Sequence, residues 1–264
     1  MSIFSTTRSY QQLLRNLVAR DLKSRYRGSA LGLLWTVLTP LFMALIYIFF
    51  LRLLGAPISF EAIIIGVFAW QFTVQSIQSG LNAITGNSNL VKKIYFPRII
   101  IPLSVTISAL INYMLMLAVQ WVLVSILLGM KGEHLSAGTV AVPLVIVYHF
   151  MFNLSLALLT ASANVYFRDT QHFVGLFLSA WFFLSPVMYP LSLMNNLAGD
   201  SAWIRELYMA NPLTLIITAY RSMQLGEVFP WSIGAIIGCC IPVLLFIGAY
   251  IFFQRSQRYF ADWL

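Results

Sequence analysis

Six long apolar stretches fill most of this chain, at residues 31–51, 63–83, 99–128, 140–166, 173–189 and 231–253. A helix that crosses hydrocarbon needs about 20 mainly apolar residues, because each backbone N–H and C=O must be paired within the segment where water is absent. With 60% of its 264 residues hydrophobic and 9% charged, the chain lies far from the composition of a soluble domain. The expected fold class is therefore an all-α integral membrane protein with six transmembrane helices.

The basic residues sort with those stretches. Twelve of the sixteen fall on one side: Arg8, Arg15, Arg20, Lys23, Arg25, Arg27, Lys92, Lys93, Arg98, Arg168, Arg255 and Arg258. The other side holds Arg52, Lys131, Arg205 and Arg221, together with five of the eight acidic residues. This bias predicts a bacterial inner-membrane protein with both termini in the cytoplasm. The net charge of +8 is thereby explained by topology, and a nucleic-acid partner is not expected. Residues 1–30 lack the apolar core of a secretory signal, so the first stretch is expected to stay as an anchor. The two cysteines, Cys239 and Cys240, are adjacent within an apolar stretch and suggest neither a disulfide framework nor a metal site.

Three segments outside the spans have a character of their own. In residues 1–30, Tyr10, Leu13, Leu14, Leu17 and Val18 recur at helical spacing opposite Arg8, Arg15, Asn16 and Arg20, the pattern of a basic amphipathic helix. Such a helix lies along the membrane surface, packs on another protein, or does both. The loop at 85–98 offers Asn87 or Ser88 as a helix cap, Lys92 and Lys93 for the last turn, and Pro97 as a stop, which predicts a short projecting helix. Residues 193–228 are too polar to span and read as two short helices at the outer face, either re-entrant or lying as a surface cap.

Polar side chains form stripes on the apolar helices. The second span carries Gln71, Gln75, Gln78 and Asn82 at i, i+4, i+7 and i+11. The third carries Ser104, Ser108, Asn112 and Gln120, and the fourth His149, Asn153, Thr160 and Asn164. Facing lipid, each such group costs kilocalories, so the stripes face other helices or water. Interhelical hydrogen bonding and an aqueous pathway both satisfy that requirement. Uncharged donors and acceptors interleaved with aromatics also suit a sugar chain. No acidic or basic residue sits well inside a span, which disfavours ion-coupled transport. The sequence has no phosphate-binding loop, so ATP hydrolysis by this chain alone is not expected.

Four motifs in order carry a family resemblance. They are Arg20-Asp-Leu-Lys-Ser-Arg-Tyr-Arg-Gly-Ser-Ala-Leu-Gly-Leu-Leu-Trp35 followed by Pro40, Asn89-Leu-Val-Lys-Lys-Ile-Tyr-Phe-Pro-Arg98, Tyr166-Phe-Arg-Asp169, and Ser185-Pro-Val-Met-Tyr-Pro190. Together they resemble the permease subunits of ABC exporters for bacterial surface polysaccharides, of the O-antigen (Wzm-like) type, with teichoic-acid permeases as near relatives. The resemblance covers essentially the whole chain. It implies a homodimer of six-span protomers, an N-terminal interface helix at 1–30, a transmembrane domain at 31–264 and short periplasmic helices between spans five and six. It also implies two ATPase subunits that hold ATP and Mg, no cofactor on this chain, and a substrate glycan linked to undecaprenyl diphosphate.

On that resemblance the ATPase-coupling residues are Asn87, Asn89, Leu90, Lys92, Lys93, Tyr95 and Phe96, and the turn at 166–169 lies near a channel mouth. Arg20, Arg25, Arg27 and Arg168 are candidates for the lipid diphosphate, with anionic lipid binding as the alternative. Channel-lining candidates are Gln71, Gln75, Gln78, Asn82, Asn112, Tyr113, Trp121, Tyr148, His149, Phe152, Asn153, Trp181 and Tyr189. Competing classes are a teichoic-acid or capsular exporter, an intramembrane polyprenyl-phosphate transferase and a passive channel.

Overall fold

The computed structural model describes residues 3–55, 59–191 and 202–264, with side chains from residue 9 onward. The described residues are helical and turn in character, with no strand among them. The helices are α1 (Ile3–Tyr26), α2 (Trp35–Leu53), α3 (Phe60–Leu81), α4 (Ser88–Lys93), α5 (Ile100–Gly129) and α6 (Val142–Tyr166). They continue with α7 (Thr170–Phe183), α8 (Ala202–Met209), α9 (Pro212–Leu225), α10 (Ile233–Ser256) and α11 (Phe260–Trp263).

Among the described residues, five helices are long and apolar enough to cross a membrane: Gly32–Leu53, Phe60–Leu81, Ile100–Gly129, Ala137–Tyr166 and Ile233–Trp263. These match five of the six stretches read from sequence. The stretch at 173–189 differs. Its helix α7 begins earlier, at Thr170, and ends at Phe183 after 14 residues, a rise of about 21 Å against a hydrocarbon core of about 30 Å. Pro186 and Pro190 lie just beyond, where a missing N–H and restriction of the preceding residue end a helix. Of the outer segment at 193–228, residues 193–201 lie outside the described residues, and the rest forms α8 and α9.

At the centre stands α3, packed most extensively against α5 and α6, with α10 on the far side of α6 and α1 along α5. Sixteen of the 22 residues of α3 are buried. In α2, by contrast, only Pro40 and Ala44 are buried. The approach of α3 to α6 depends on small side chains, as expected where lipid removes the usual hydrophobic drive between helices. A Cβ added at Gly80 would lie 2.6 Å from Ala157 Cβ and 2.7 Å from its Cα.

Among the described residues two large apolar cores result, with a small third cluster of Met209, Leu215 and Ala235. One lies among α3, α5, α6 and α9, with Phe68, Phe72, Tyr113, Phe152 and Tyr220 fully enclosed. The other gathers Leu17 of α1, Val91 of α4, Phe96, Ile101, Leu158, Phe253 and Phe260 near the turn-rich end that carries Lys92, Lys93 and Arg168. The amphipathic reading of α1 agrees with its packing, since Leu17 is buried and Tyr10, Leu13 and Leu14 lean on the second core.

Gly80→Leu is expected to destabilise the α3–α6 contact by about 1–3 kcal/mol, seen as a lower unfolding temperature of the detergent-solubilised protein. Gly86→Ala, where the added Cβ meets nothing within 4 Å, serves as the unaffected control.

Candidate functional site

Because α3 is enclosed on most of its circumference, its open positions stand out. They include Gln71 and Gln75, half-buried, and Gln78 and Asn82, exposed. The neighbours Thr73, Ser76 and Ile77 are buried. The amide stripe is thus the face of the central helix that the rest of the fold leaves uncovered. Helices α2 and α7 flank it.

Three cavities follow the stripe. One of about 210 Å³ is lined by Gln71, Gln75, Thr36, Thr39, Trp35 and Arg25. Another of about 330 Å³ lies between α2 and α7, with Gln78, Tyr47, Trp70, Ser179 and Phe182 on its walls. The last, of about 300 Å³, is polar and joins Asn82, Thr85, Ser88, Asn164, Arg168 and Gln171 to the C-terminal Trp263 and Leu264. Gln75 Oε1 is buried without a partner among the described residues. A hydrogen-bonding surface with an apolar wall and one arginine at its end is chemically suited to a hydroxyl-rich, weakly amphipathic chain.

The other polar stripes point inward instead. Asn112, Tyr113, His149, Phe152 and Asn153 are all buried within the protomer and do not reach the groove. Thr73 Oγ1 and His149 Nε2 share a hydrogen bond of 2.7 Å, and Tyr113 stacks on Phe72 with ring centroids 4.7 Å apart. Asn112 Oδ1 accepts from the Tyr26 hydroxyl at 3.0 Å. These residues face other helices, and some of their polar groups pair there, whereas Asn153 Nδ2 and Oδ1 and Asn112 Nδ2 are buried without a partner among the described residues. Trp121 is half-buried against the same core. Tyr148 donates to Cys239 O at 2.7 Å on the α10 side. Trp181 donates its Nε1–H to Asn211 Oδ1 at 3.0 Å, and Tyr189 donates to Phe183 O at 2.8 Å while accepting from Tyr208.

The four candidate arginines separate similarly. Arg25 bridges Asp21 and Ser79 at 3.2 Å each, which brings it to the inner end of the stripe. Arg20 donates to Asn87 Oδ1, and Arg27 is exposed on its own. Arg168 is exposed and lines the polar cavity from the opposite side, beyond α6. The structure therefore brings Arg25 and Arg168 to two different cavities of the groove.

The short helix α4 forms where the sequence predicts it, but without the expected cap bond. Asn87 occupies the N-cap position, and its amide nitrogen donates to Ala83 O at 2.8 Å instead. Val91 and Phe96 are buried, Leu90 is partly so, and Asn89, Lys92, Lys93 and Tyr95 are exposed. Tyr95 stands fully free, at 102% exposure. A cavity of about 600 Å³ beside it is lined by Tyr10, Ile94, Tyr95, Phe96, Arg98 and Arg258. An exposed aromatic and four neighbouring cations on a buried foot make a suitable contact for an acidic protein surface.

Sequence reasoning missed several of these groups. The C-terminal Trp263 carries no periodic signal, yet it packs edge-on to Tyr166 with centroids 5.5 Å apart. Arg221, counted with the outer segments by charge sorting, is 4% exposed, and that burial was not read from the sequence. The sequence signal for its burial is the apolar company of Leu215, Ile216, Ile217 and Tyr220 in the same helix.

Comparison with known proteins agrees with this architecture. A family model described as ABC-2 type transporter matches residues 12–225, and the chain belongs to that family of multi-pass membrane proteins. The O-antigen export system permease protein RfbA of Myxococcus xanthus is 33% identical over 258 residues, covering 96% of this chain and 95% of the relative. Two proteins of the same description from Klebsiella pneumoniae are 28% and 26% identical over 251 residues, each covering 94% of this chain and 93% of the relative.

If the stripe of α3 faces water, Gln71→Cys and Gln78→Cys in a Cys239→Ser/Cys240→Ser background should react with a small charged thiol reagent on the order of tenfold faster than Asn153→Cys. Equal rates at the three positions would remove the distinction between groove and core.

Proposed function

We propose that this chain is the membrane-spanning subunit of an ATP-driven exporter for a bacterial surface polysaccharide of the O-antigen class, attached to undecaprenyl diphosphate. The observation that carries the reading is the amide stripe of α3, left open on the most enclosed helix of the fold. The export role named for its near-full-length relatives supports the substrate class. A teichoic-acid or capsular glycan is the alternative that fits the same uncharged groove.

In this reading α7 and the turn after it supply a sixth crossing, α1 lies at the inner membrane surface, and both termini are cytoplasmic. Two protomers face each other across the open sides of α3, which removes the stripes from lipid and encloses a path. Arg25 and Arg168, at separate cavities along the groove, receive the diphosphate through charge-assisted hydrogen bonds. The glycan then follows Gln78, Gln75 and Gln71 outward, with Tyr47 and Trp70 as stacking surfaces beside the amides.

The energy comes from two ATPase subunits that hold ATP and Mg. The exposed Lys92, Lys93 and Tyr95 meet that partner. The buried Val91 and Phe96 share a core with Ile101 of α5, Leu158 of α6 and Phe253 of α10, and α4 itself packs on α11, so displacement of α4 is passed on through that core. A packed core transmits such a shift because it cannot absorb it locally.

Lys92→Glu/Lys93→Glu is expected to abolish co-purification of the ATPase subunit in mild detergent, and Tyr95→Ala to weaken it by about 2 kcal/mol, roughly 30-fold. A membrane protein that folds and binds no nucleotide-hydrolysing partner in its wild-type form would overturn the exporter reading.

A further inference from the structure

Helix α7, one wall of the groove, is held to the bundle in two unlike ways. Along its length it has a single apolar seam, Val174, Leu178 and Phe182, while Phe173, Leu176 and Phe183 are exposed. Beyond its outer end, side chains of α9 take hold of the backbone. Asn211 caps α9 by accepting from Leu213 N at 3.1 Å, and the same Oδ1 accepts from Trp181 Nε1 at 3.0 Å. Its Nδ2 donates to Leu184 O at 2.9 Å and to Ser185 Oγ at 3.0 Å.

Arg221, further along α9, completes the grip. Its Nη2 donates to Val187 O at 3.1 Å, its Nη1 to Tyr189 O at 3.2 Å, and its Nε to Ala62 O of α3 at 2.9 Å. Burial pulls its pKa down to about 10, which leaves it cationic at neutral pH. Among the described residues no carboxylate lies within ion-pair distance of it. A buried guanidinium in such surroundings is tolerated because carbonyls take its N–H groups, so losing any one of them is penalised. The segment also lies flat on α3 at Gly66, where an added Cβ would come within 2.3 Å of Val187 O.

We propose that Asn211 and Arg221 are positioning residues for transport, forming a clasp by which α9 fixes the outer end of α7 to α3 while the rest of α7 moves as a wall of the groove. The proposal rests on the groove being the substrate path. Through the clasp the segment after α7 stays fixed to α3, and the groove opens from its other end about that outer pivot. The outer segment is therefore a pivot, and the lightly packed inner part of α7 is the moving arm.

Two substitutions separate the clasp from simple folding. Asn211→Asp keeps an oxygen for Leu213 N and Trp181 Nε1 but removes both donors to the end of α7. Arg221→Lys keeps the charge but loses the fork that reaches three carbonyls. Each is made in the full transporter with its ATPase partner, in a Cys239→Ser/Cys240→Ser background that carries Leu178→Cys in the seam of α7. Either variant is expected to raise thiol labelling at position 178 about tenfold, with ATP hydrolysis retained and glycan exported per ATP reduced several-fold. Folded Asn211→Asp complex with unchanged labelling and export overturns the clasp, whether or not Arg221→Lys folds. Export that continues when a bulky maleimide occupies Gln78→Cys overturns the path reading instead, and leaves the labelling result to judge the clasp.

Discussion

Everything in this molecule follows from the cost of leaving a polar group in hydrocarbon. Backbone groups meet it by forming long helices. Side chains meet it in two ways here, and the difference divides the interior from the path. Thr73, His149, Asn112, Gln120 and Gln224 satisfy part of their need inside the protomer, as in the 2.8 Å bond from Gln120 Nε2 to Gln224 Oε1. Gln71, Gln75, Gln78 and Asn82 sit on one helix whose remaining surface is closed. Only water, substrate or a second protomer brings them partners. The same physics that places α3 at the centre leaves its amide face open, and that face is the path proposed for a hydrophilic chain.

A second consequence concerns how work reaches that face. The second core is built from pieces of α1, α4, α5, α6, α10 and α11, so a short helix of six residues shares its buried side chain with several long ones. Tyr166 strengthens this arrangement by donating to Ser256 O at 3.1 Å and by packing on Phe260 and Trp263. Arg98 reaches Gln257 O at the end of α10. These contacts make the end that carries α4 a rigid block. By comparison α2 and α7, the walls of the groove, bury few of their residues.

The features legible in the sequence were those that a period or a composition encodes. Helix length, the side on which charges gather, the amphipathic face of α1, the position of α4 and the Gln71–Asn82 stripe all repeat at a fixed spacing. Which stripe faces a groove was not legible, because His149 with Asn153 has the same spacing as Gln71 with Gln75 and differs only in which helix stands opposite. The contacts of the channel-lining candidates Trp181 and Tyr189 were not legible for a related reason. Their polar tips are held by Asn211, Tyr208 and Phe183 O, partners 30, 19 and 6 residues away. The burial of Arg221 was not legible because charge sorting counts a cation without asking what accepts its hydrogen bonds. The shortened α7 reflects Pro186 and Pro190, whose effect on the end of an apolar run is hidden in a hydropathy count.

The central claim is that the open face of α3 carries the glycan. A photo-activated cross-linking amino acid placed at Gln75 in the exporting complex, with its ATPase and lipid-linked substrate present, tests it most directly. The account predicts ATP-dependent capture of polysaccharide at position 75 and none at position 153 on the buried stripe of α6. Capture at 153 and not at 75, or capture at neither while export proceeds, would contradict it.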